Sequence, residues 1–202
     1  MLSRFHGCSV ETTDNAADGV VKCEAWRPDV VLLDLDIPVL NGQSPLERIR
    51  TWSAVPVIAL STQVDEQAKV TALNRGADDY LTRPFGTDEL AARIRVAIRH
   101  LTAPASTATK RIGDVTLDFG RRRVSVHDRD IRLRSIEYDI LKYLAIDAGR
   151  VLTHRELLEK VWGPSFTDQV GYLRPIISSL RRKLGPEVIQ TQPGVGYRLR
   201  QP

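Results

Sequence analysis

The carboxylate of Asp34 is the first side chain whose type and position suggest chemistry. It follows the apolar run Val30–Leu33, which is short enough to be a buried strand of a parallel sheet. Doubly wound α/β folds place their reactive groups at the carboxyl ends of such strands. The alternative is an aspartate that only ends a strand at the surface, and the surrounding motifs must decide between the two.

A basic cluster at residues 181–183, Arg-Arg-Lys, is the second candidate. Positive side chains at a helix end interact favourably with the helix dipole and can contact phosphate, but a solvated helix end explains them equally well. The balance of charged residues between the two halves also favours binding of a polyanionic partner. Residues 1–103 hold 11 Lys or Arg against 14 Asp or Glu, whereas residues 104–202 hold 18 against 11. We therefore expect only the second half to bind nucleic acid.

The chain divides at residues 102–109, a stretch without charge or bulky apolar side chains that we interpret as a linker. Over residues 1–101, apolar runs alternate with amphipathic stretches, which predicts an α/β doubly wound (flavodoxin-like) domain. Residues 111–134 alternate in the manner of an antiparallel meander. Two helices, a longer basic helix and a hairpin then follow, so we predict a winged helix-turn-helix over residues 110–202.

Capping signals predict where the helices of the second half begin. Ser135 is expected to cap a helix over Ile136–Ala148. Thr153 and Glu156 have the spacing of a capping box, which predicts a helix over His154–Trp162.

The longer helix, about Asp168–Leu184, contains Pro175. A proline inside a helix removes a backbone hydrogen bond and costs roughly 3 kcal/mol. The helix therefore either kinks at Pro175 or begins later, with Pro175 close to its first residue.

The cellular setting is constrained by what the sequence lacks. It has no run of about 18 apolar residues and no signal-peptide pattern, so we expect a cytoplasmic protein. Cys8 and Cys23 are its two cysteines, and we expect plain thiols.

Five segments of the second half resemble the effector domain of OmpR/PhoB-type response regulators: 149–158, 161–164, 172–174, 180–184 and 194–198. The resemblance covers nearly the whole chain and implies a transcription regulator of a two-component system, with a receiver domain before the effector domain. Its implied partners are double-stranded DNA, a sensor histidine kinase, a second copy bound through the receiver, and RNA polymerase, which the loop Gly163–Gln169 would suit. An enzyme is the less favoured alternative, and we expect none.

The resemblance also implies which residues contact DNA. Three side chains at the longer helix are candidates for base edges: Tyr172, Arg174 and Ser178. Five others are candidates for phosphate, which positions a protein without reading sequence: Arg155, Trp162, Arg181, Arg182 and Arg198.

In the receiver, the resemblance makes Asp34 the phosphoacceptor, because a carboxylate can attack phosphorus. It assigns switch roles to Ser61, Tyr80 and Arg83, the last standing where the family has lysine. It also implies a dimer interface with crossed ion pairs between Lys69 and Glu89 and between Asp79 and Arg93. The alternative for these four residues is charge paired within one chain or solvated.

Three departures bear on phosphorylation. Cys8–Thr12 matches the family's second strand, so the first strand and its pair of acidic magnesium ligands have no counterpart. Asp34 and the carbonyl of Asp36 remain as ligands, too few for tight Mg²⁺ binding. Arginine at position 83 is not a neutral replacement for lysine. Either the natural protein starts upstream of Met1, or the receiver is degenerate and serves as a phosphorylation-independent dimerisation or protein-interaction module.

Overall fold

The computed structural model describes residues 8–37, 43–99 and 108–200. Helices and strands alternate through the first half, in the order α1 (Ala16–Trp26), β1 (Val31–Asp34), α2 (Pro45–Trp52), β2 (Val57–Ser61), α3 (Glu66–Asn74), β3 (Asp79–Thr82) and α4 (Thr87–Ile98). The strands pair in parallel in the order β1-β2-β3. This arrangement confirms the predicted α/β class.

Strand β2 lies at the centre of the receiver core, and all five of its residues are buried. Val57 and Ala59 pack with side chains of α2 and α3, whereas Ile58 and Leu60 pack with Leu90 of α4. Because side chains alternate along a strand, this division places helices on both faces of the sheet.

The predicted strand at Cys8–Thr12 is wrong, because the structure gives these residues no strand. The three described strands follow one another directly in the sheet, and no further described strand lies beside β1. A strand needs a partner for its backbone groups, and none of the described strands pairs with these residues. Helix α1 was not predicted, although Asn15 accepts hydrogen bonds from the amides of Ala17 and Asp18 as an N-cap.

The second half begins with a four-stranded antiparallel sheet in the order β4-β5-β6-β7. Its strands are β4 (Thr109–Ile112), β5 (Val115–Asp118), β6 (Arg123–Val126) and β7 (Arg129–Ile131). Three helices follow: α5 (Ser135–Ile146), α6 (His154–Trp162) and α7 (Leu173–Leu184). The short strand β8 (Leu152–Thr153) lies between α5 and α6, and the described part of the chain ends in a hairpin of β9 (Ile189–Gln192) and β10 (Gly196–Leu199). The predicted winged helix-turn-helix is confirmed. Most of the predicted linker lies outside the described residues, and β4 begins at its last residue.

The capping box is confirmed: Thr153 Oγ1 accepts the Glu156 amide at 3.1 Å, and the Glu156 carboxylate accepts the Thr153 amide at 2.7 Å. The prediction for Ser135 is wrong by one residue, because Arg134 is the N-cap of α5. Glu137 lies three residues after Arg134 and accepts its backbone amide at 2.8 Å, which fixes the earlier start.

Pro175 is the third residue of α7, because two short 3₁₀ turns at Pro164–Phe166 and Val170–Tyr172 precede the helix. The first amides of a helix have no partner within it, so the missing N–H of proline costs no hydrogen bond there. Of the two alternatives, the late start is confirmed. None of the helices in the described part of the chain is long and apolar enough to cross a bilayer.

Candidate phosphoacceptor site and nucleic-acid interface

The carboxyl ends of the three parallel strands bring Asp34, Ser61 and Arg83 to one edge of the receiver. Asp34 ends β1 and Ser61 ends β2, and Arg83 follows β3. Arg83 Nη1 donates to Asp34 Oδ2 at 2.7 Å, and the amide of Asp36 donates to Asp34 Oδ1 at 3.0 Å. Both oxygens of the predicted phosphoacceptor therefore have partners, while a third of its side chain remains exposed.

The side chain of Asp36 has a role at this edge that sequence reasoning missed. Its Oδ1 accepts the Ser61 hydroxyl at 2.9 Å, and its Oδ2 accepts the Thr62 amide at 3.0 Å. The Thr62 amide and the Ser61 hydroxyl both hold the pKa of Asp36 below its usual value. The sequence offers one signal, a carboxylate two residues after the acceptor. At this position the family resemblance implies a metal ligand through the backbone carbonyl instead.

These residues do not fit a magnesium ion. The ion takes oxygen ligands in near-octahedral geometry, usually one or two free carboxylates with several waters. Here one Asp34 oxygen is paired with Arg83, and the Asp36 carboxylate faces Ser61 and Thr62. Among the described residues, no group of three or more His, Cys, Asp or Glu side chains is placed to hold a metal.

Tyr80 joins the acceptor edge to the DNA-binding half. Its side chain is buried, and its hydroxyl donates to the carbonyl of Gln63 at 2.9 Å. Its own carbonyl accepts the hydroxyl of Tyr172, the residue before α7, at 3.0 Å. The predicted switch residue is therefore in direct contact with the residue that precedes helix α7.

Three of the four residues predicted to form a dimer interface, Asp79, Glu89 and Arg93, are paired within one chain. Arg93 Nη1 donates to both carboxylate oxygens of Asp79 at 2.8 and 2.9 Å, and its Nη2 donates to Glu89 at 2.7 Å. The guanidinium of Arg93 also lies 4.6 Å from the ring centre of Phe166 in the other domain. Lys69 lies at a cleft between the domains, beside Asp168 and Gln169.

A buried charge network crosses the same boundary. Arg134 Nη1 donates to the carbonyl of Ala77 in the receiver at 2.9 Å and lies 3.9 Å from Asp78. Its Nε donates to Glu137 at 3.0 Å. Glu137 is fully buried and also accepts from two side chains of α7, Ser179 at 2.7 Å and Lys183 at 2.6 Å. Removing one partner of such a network leaves an unpaired buried charge, which is costly.

One face of helix α7 is open to a ligand. Arg174, Ser178 and Arg182 follow one another at intervals of four and are all exposed, so they lie on one face of the helix. The opposite face carries five buried apolar residues: Leu173, Ile176, Ile177, Leu180 and Leu184. Arg155 at the start of α6 and Arg198 on β10 are exposed as well.

Three predicted DNA contacts do not lie on this open face. Tyr172 and Trp162 are buried, and their rings meet edge to face at 5.7 Å between centres. Arg181 donates to the carbonyl of Ile189 at 2.8 Å and to Thr191 at 2.7 Å, which ties α7 to the hairpin. The prediction that Tyr172 and Trp162 contact DNA is therefore wrong, because their rings fill the space between α6 and the 3₁₀ turns.

Comparisons with known proteins agree with the fold. Residues 1–95 match the model for response regulator receiver domains, and residues 128–199 match that for the C-terminal domain of transcriptional regulatory proteins. The solved structure of a RitR mutant superposes with a TM-score of 0.70 at 24% identity, over 96% of this chain and 88% of that one, which supports the fold.

Relatives at higher identity give the family. The chain is 39% identical to the KDP operon transcriptional regulatory protein KdpE of Escherichia coli, over 95% of its own length and 88% of that protein. It is 38% identical to KdpE of Mycobacterium tuberculosis (95% and 88%) and 35% identical to KdpE of Staphylococcus aureus (96% and 87%). The resemblance to OmpR/PhoB regulators is confirmed, and the chain belongs to this family as a KdpE-like two-component response regulator with a C-terminal DNA-binding domain.

Proposed function

We propose that this chain regulates transcription in the cytoplasm by laying α7 into the major groove of double-stranded DNA. The observation that carries the proposal is the open face of α7, where Arg174, Ser178 and Arg182 are exposed at intervals of four. A helix fits the major groove, where base edges differ for each base pair. Among winged-helix proteins the helix after the turn reads these edges.

The exposed side chains divide into two tasks. Arg174 and Ser178, near the start of α7, are the base-reading candidates, because recognition helices usually read with their first turns. Arg155, Arg182 and Arg198 are the phosphate candidates, together with Arg181 at the joint with the hairpin. Arg198 lies on the wing, where its Nε donates to Gln190 at 3.0 Å and is held in place.

The test begins with selection of tandem direct repeats from random double-stranded DNA by the purified chain. Gel-shift affinity is then measured against salt with competitor DNA present. Four phosphate contacts per protomer, at about 0.9 per contact, predict a slope of about −3.6 in log K against log salt for each protomer bound. Replacement of Arg182 by alanine should reduce this slope by about 1 for each protomer bound.

Arg123→Ala is the matched control. Arg123 is exposed on β6, away from α7, and pairs with Asp130 at 2.7 Å. Its loss should leave the slope unchanged. Equal changes in the two variants, or binding lost to competitor at every salt concentration, would refute the proposed interface and favour a protein-interaction module.

The receiver domain regulates this DNA binding through phosphorylation. In our proposal, a sensor histidine kinase transfers a phosphoryl group to Asp34: an Asp34 oxygen forms the new O–P bond, the N–P bond breaks, and the histidine leaves with its electron pair. The geometry supports Asp34, which ends β1 and is partly exposed beside Ser61 and Arg83. Because Arg83 holds one Asp34 oxygen and the Asp36 carboxylate is held by Ser61 and Thr62, we expect this transfer to be slow.

The remaining partners follow from the domain boundary. The face that includes Asp79 and Arg93 is expected to form a homodimer, yet it is packed against Phe166 and Tyr172 here. Dimerisation through this face therefore requires the DNA-binding domain to move away. The same movement exposes the loop Gly163–Gln169, which is our candidate contact for RNA polymerase.

A further inference from the structure

The carboxylate of Asp36 occupies two hydrogen-bond donors that lie beside the phosphoacceptor. Asp34 pairs with Leu60 in the parallel register of β1 and β2, so Ser61 and Thr62 come directly after the residue opposite the acceptor. Any anion carried by Asp34 would lie at the carboxyl end of the sheet, within reach of these donors. In the structure both donate to Asp36 instead, at 2.9 and 3.0 Å.

Asp36 also resembles a bound phosphoryl group in charge and contacts. It is an anion that accepts from a hydroxyl and from a backbone amide, and both bonds are of the strong, charge-assisted kind. Asp36 is attached to the acceptor residue through the chain, and its amide donates to Asp34 Oδ1 at 3.0 Å. An intramolecular anion at this position needs no donor molecule and no metal.

The donors held by Asp36 are connected to the DNA-binding domain. The Ser61 hydroxyl oxygen accepts the amide of Gln63 at 3.2 Å, and the Gln63 carbonyl accepts the hydroxyl of Tyr80 at 2.9 Å. The Tyr80 carbonyl in turn accepts the hydroxyl of Tyr172 at 3.0 Å. The state of Ser61 therefore bears on the residue that immediately precedes helix α7.

We infer that Asp36 is a positioning residue that takes the place of a phosphoryl group, holding Ser61 and Thr62 and competing with modification of Asp34. The inference rests on the proposed role of Asp34 as acceptor and adds a regulatory residue to that site. It accounts for both donors being satisfied while Asp34 is paired with Arg83. The receiver is thus held in one arrangement without a phosphate.

The test uses the full chain, acetyl phosphate in a buffer with Mg²⁺, and the variant Asp36→Asn. Asparagine keeps the shape but lacks the charge, so one acceptor and the competing anion are lost. Transfer to Asp34, with acetate leaving, should become about tenfold faster, as expected when a charged acceptor no longer competes for two donors. Asp29→Asn removes an exposed charge at the opposite end of β1 and should change nothing.

Hydrogen exchange at the Thr62 amide is the second readout. A variant that merely unfolds would lose protection at this amide but would not regain it on labelling. The amide should be well protected in the unmodified chain and less protected in Asp36→Asn, because asparagine keeps a single, uncharged acceptor oxygen. It should be protected again once that variant is labelled at Asp34. Equal labelling rates in the two proteins, or no change at Thr62, would overturn the inference. A third outcome is that neither protein is labelled while Thr62 loses protection in Asp36→Asn. In that case Asp34 is not the acceptor and Asp36 does not compete with its modification, and only the contact of Asp36 with Thr62 is supported.

Discussion

Replacement of Tyr172 by phenylalanine tests the contact between the receiver and the residue that precedes helix α7. The Tyr172 hydroxyl donates to the Tyr80 carbonyl at 3.0 Å, and both side chains are buried. Tyr80 lies on β3, the edge strand of the described sheet, and its amide donates to Asp79 rather than to β2. Its carbonyl therefore depends on Tyr172 for a hydrogen bond.

The expected loss in the free energy of unfolding follows from the contacts that phenylalanine keeps and the one that it removes. The ring and its packing on Trp162 are kept, while one buried hydrogen bond is lost and a buried carbonyl remains without a donor. Such a change costs about 2 kcal/mol, or a factor of about 30 in an equilibrium constant. We expect the free energy of unfolding in urea, followed by tryptophan fluorescence, to fall by this amount.

Tyr138→Phe is the matched control. Tyr138 is buried in the same domain, but its hydroxyl has no hydrogen-bond partner among the described residues. The ring keeps the guanidinium of Arg122 at 4.0 Å. Its loss of a hydroxyl should change stability by less than about 0.5 kcal/mol. If both variants lose the same stability, the Tyr172–Tyr80 bond does not hold the domains together.

Two further predictions concern the DNA-binding domain. Although burial opposes ionisation, Arg134 and Lys183 lower the pKa of Glu137 to about 2. Because this pKa lies below the usual value of a glutamate, 4.5, the stabilising effect of the carboxylate should be complete above pH 4.5 and lost as the pH falls towards 2. Denaturation curves against pH should therefore show less acid sensitivity in Glu137→Gln, and an unchanged profile would contradict the assignment. A Cβ at Gly196 would overlap the carbonyl of Leu152, so Gly196→Ala should break the pairing of β8 and β10 and weaken DNA binding. Gly86→Ala, which has open space around it, is the control, and equal effects on melting temperature would refute the reasoning.

Local signals in the sequence predicted much of the fold. Thr153 and Glu156 form the predicted capping box, and α6 has the predicted bounds. Pro175 left two alternatives, a kinked helix or a helix that begins later, and α7 begins later. Helix α1 was missed because its apolar residues are sparse and partly exposed, with Val21 and Trp26 open to solvent.

The contacts between domains could not be predicted from the sequence. Tyr172 has the type and position of a groove contact, and nothing local indicates that its ring is buried against Trp162 and Phe166. Asp79 and Arg93 were recognised as a pair, but the sequence left open whether they pair within one chain. Asp36 was missed for a similar reason, because its partners lie 25 and 26 residues away.

The most direct test of the account is the ratio of affinities for selected and unselected DNA, measured for the unmodified chain and for Arg174→Ala at one salt concentration. Arg174 is the exposed side chain in the first turn of α7, where base readout is expected. Loss of a good base contact costs about 1–3 kcal/mol of discrimination, so the ratio should fall by about 5-fold to 150-fold. Arg182→Ala should instead lower both affinities alike. An unchanged ratio in Arg174→Ala would contradict the claim that this face of α7 reads DNA sequence.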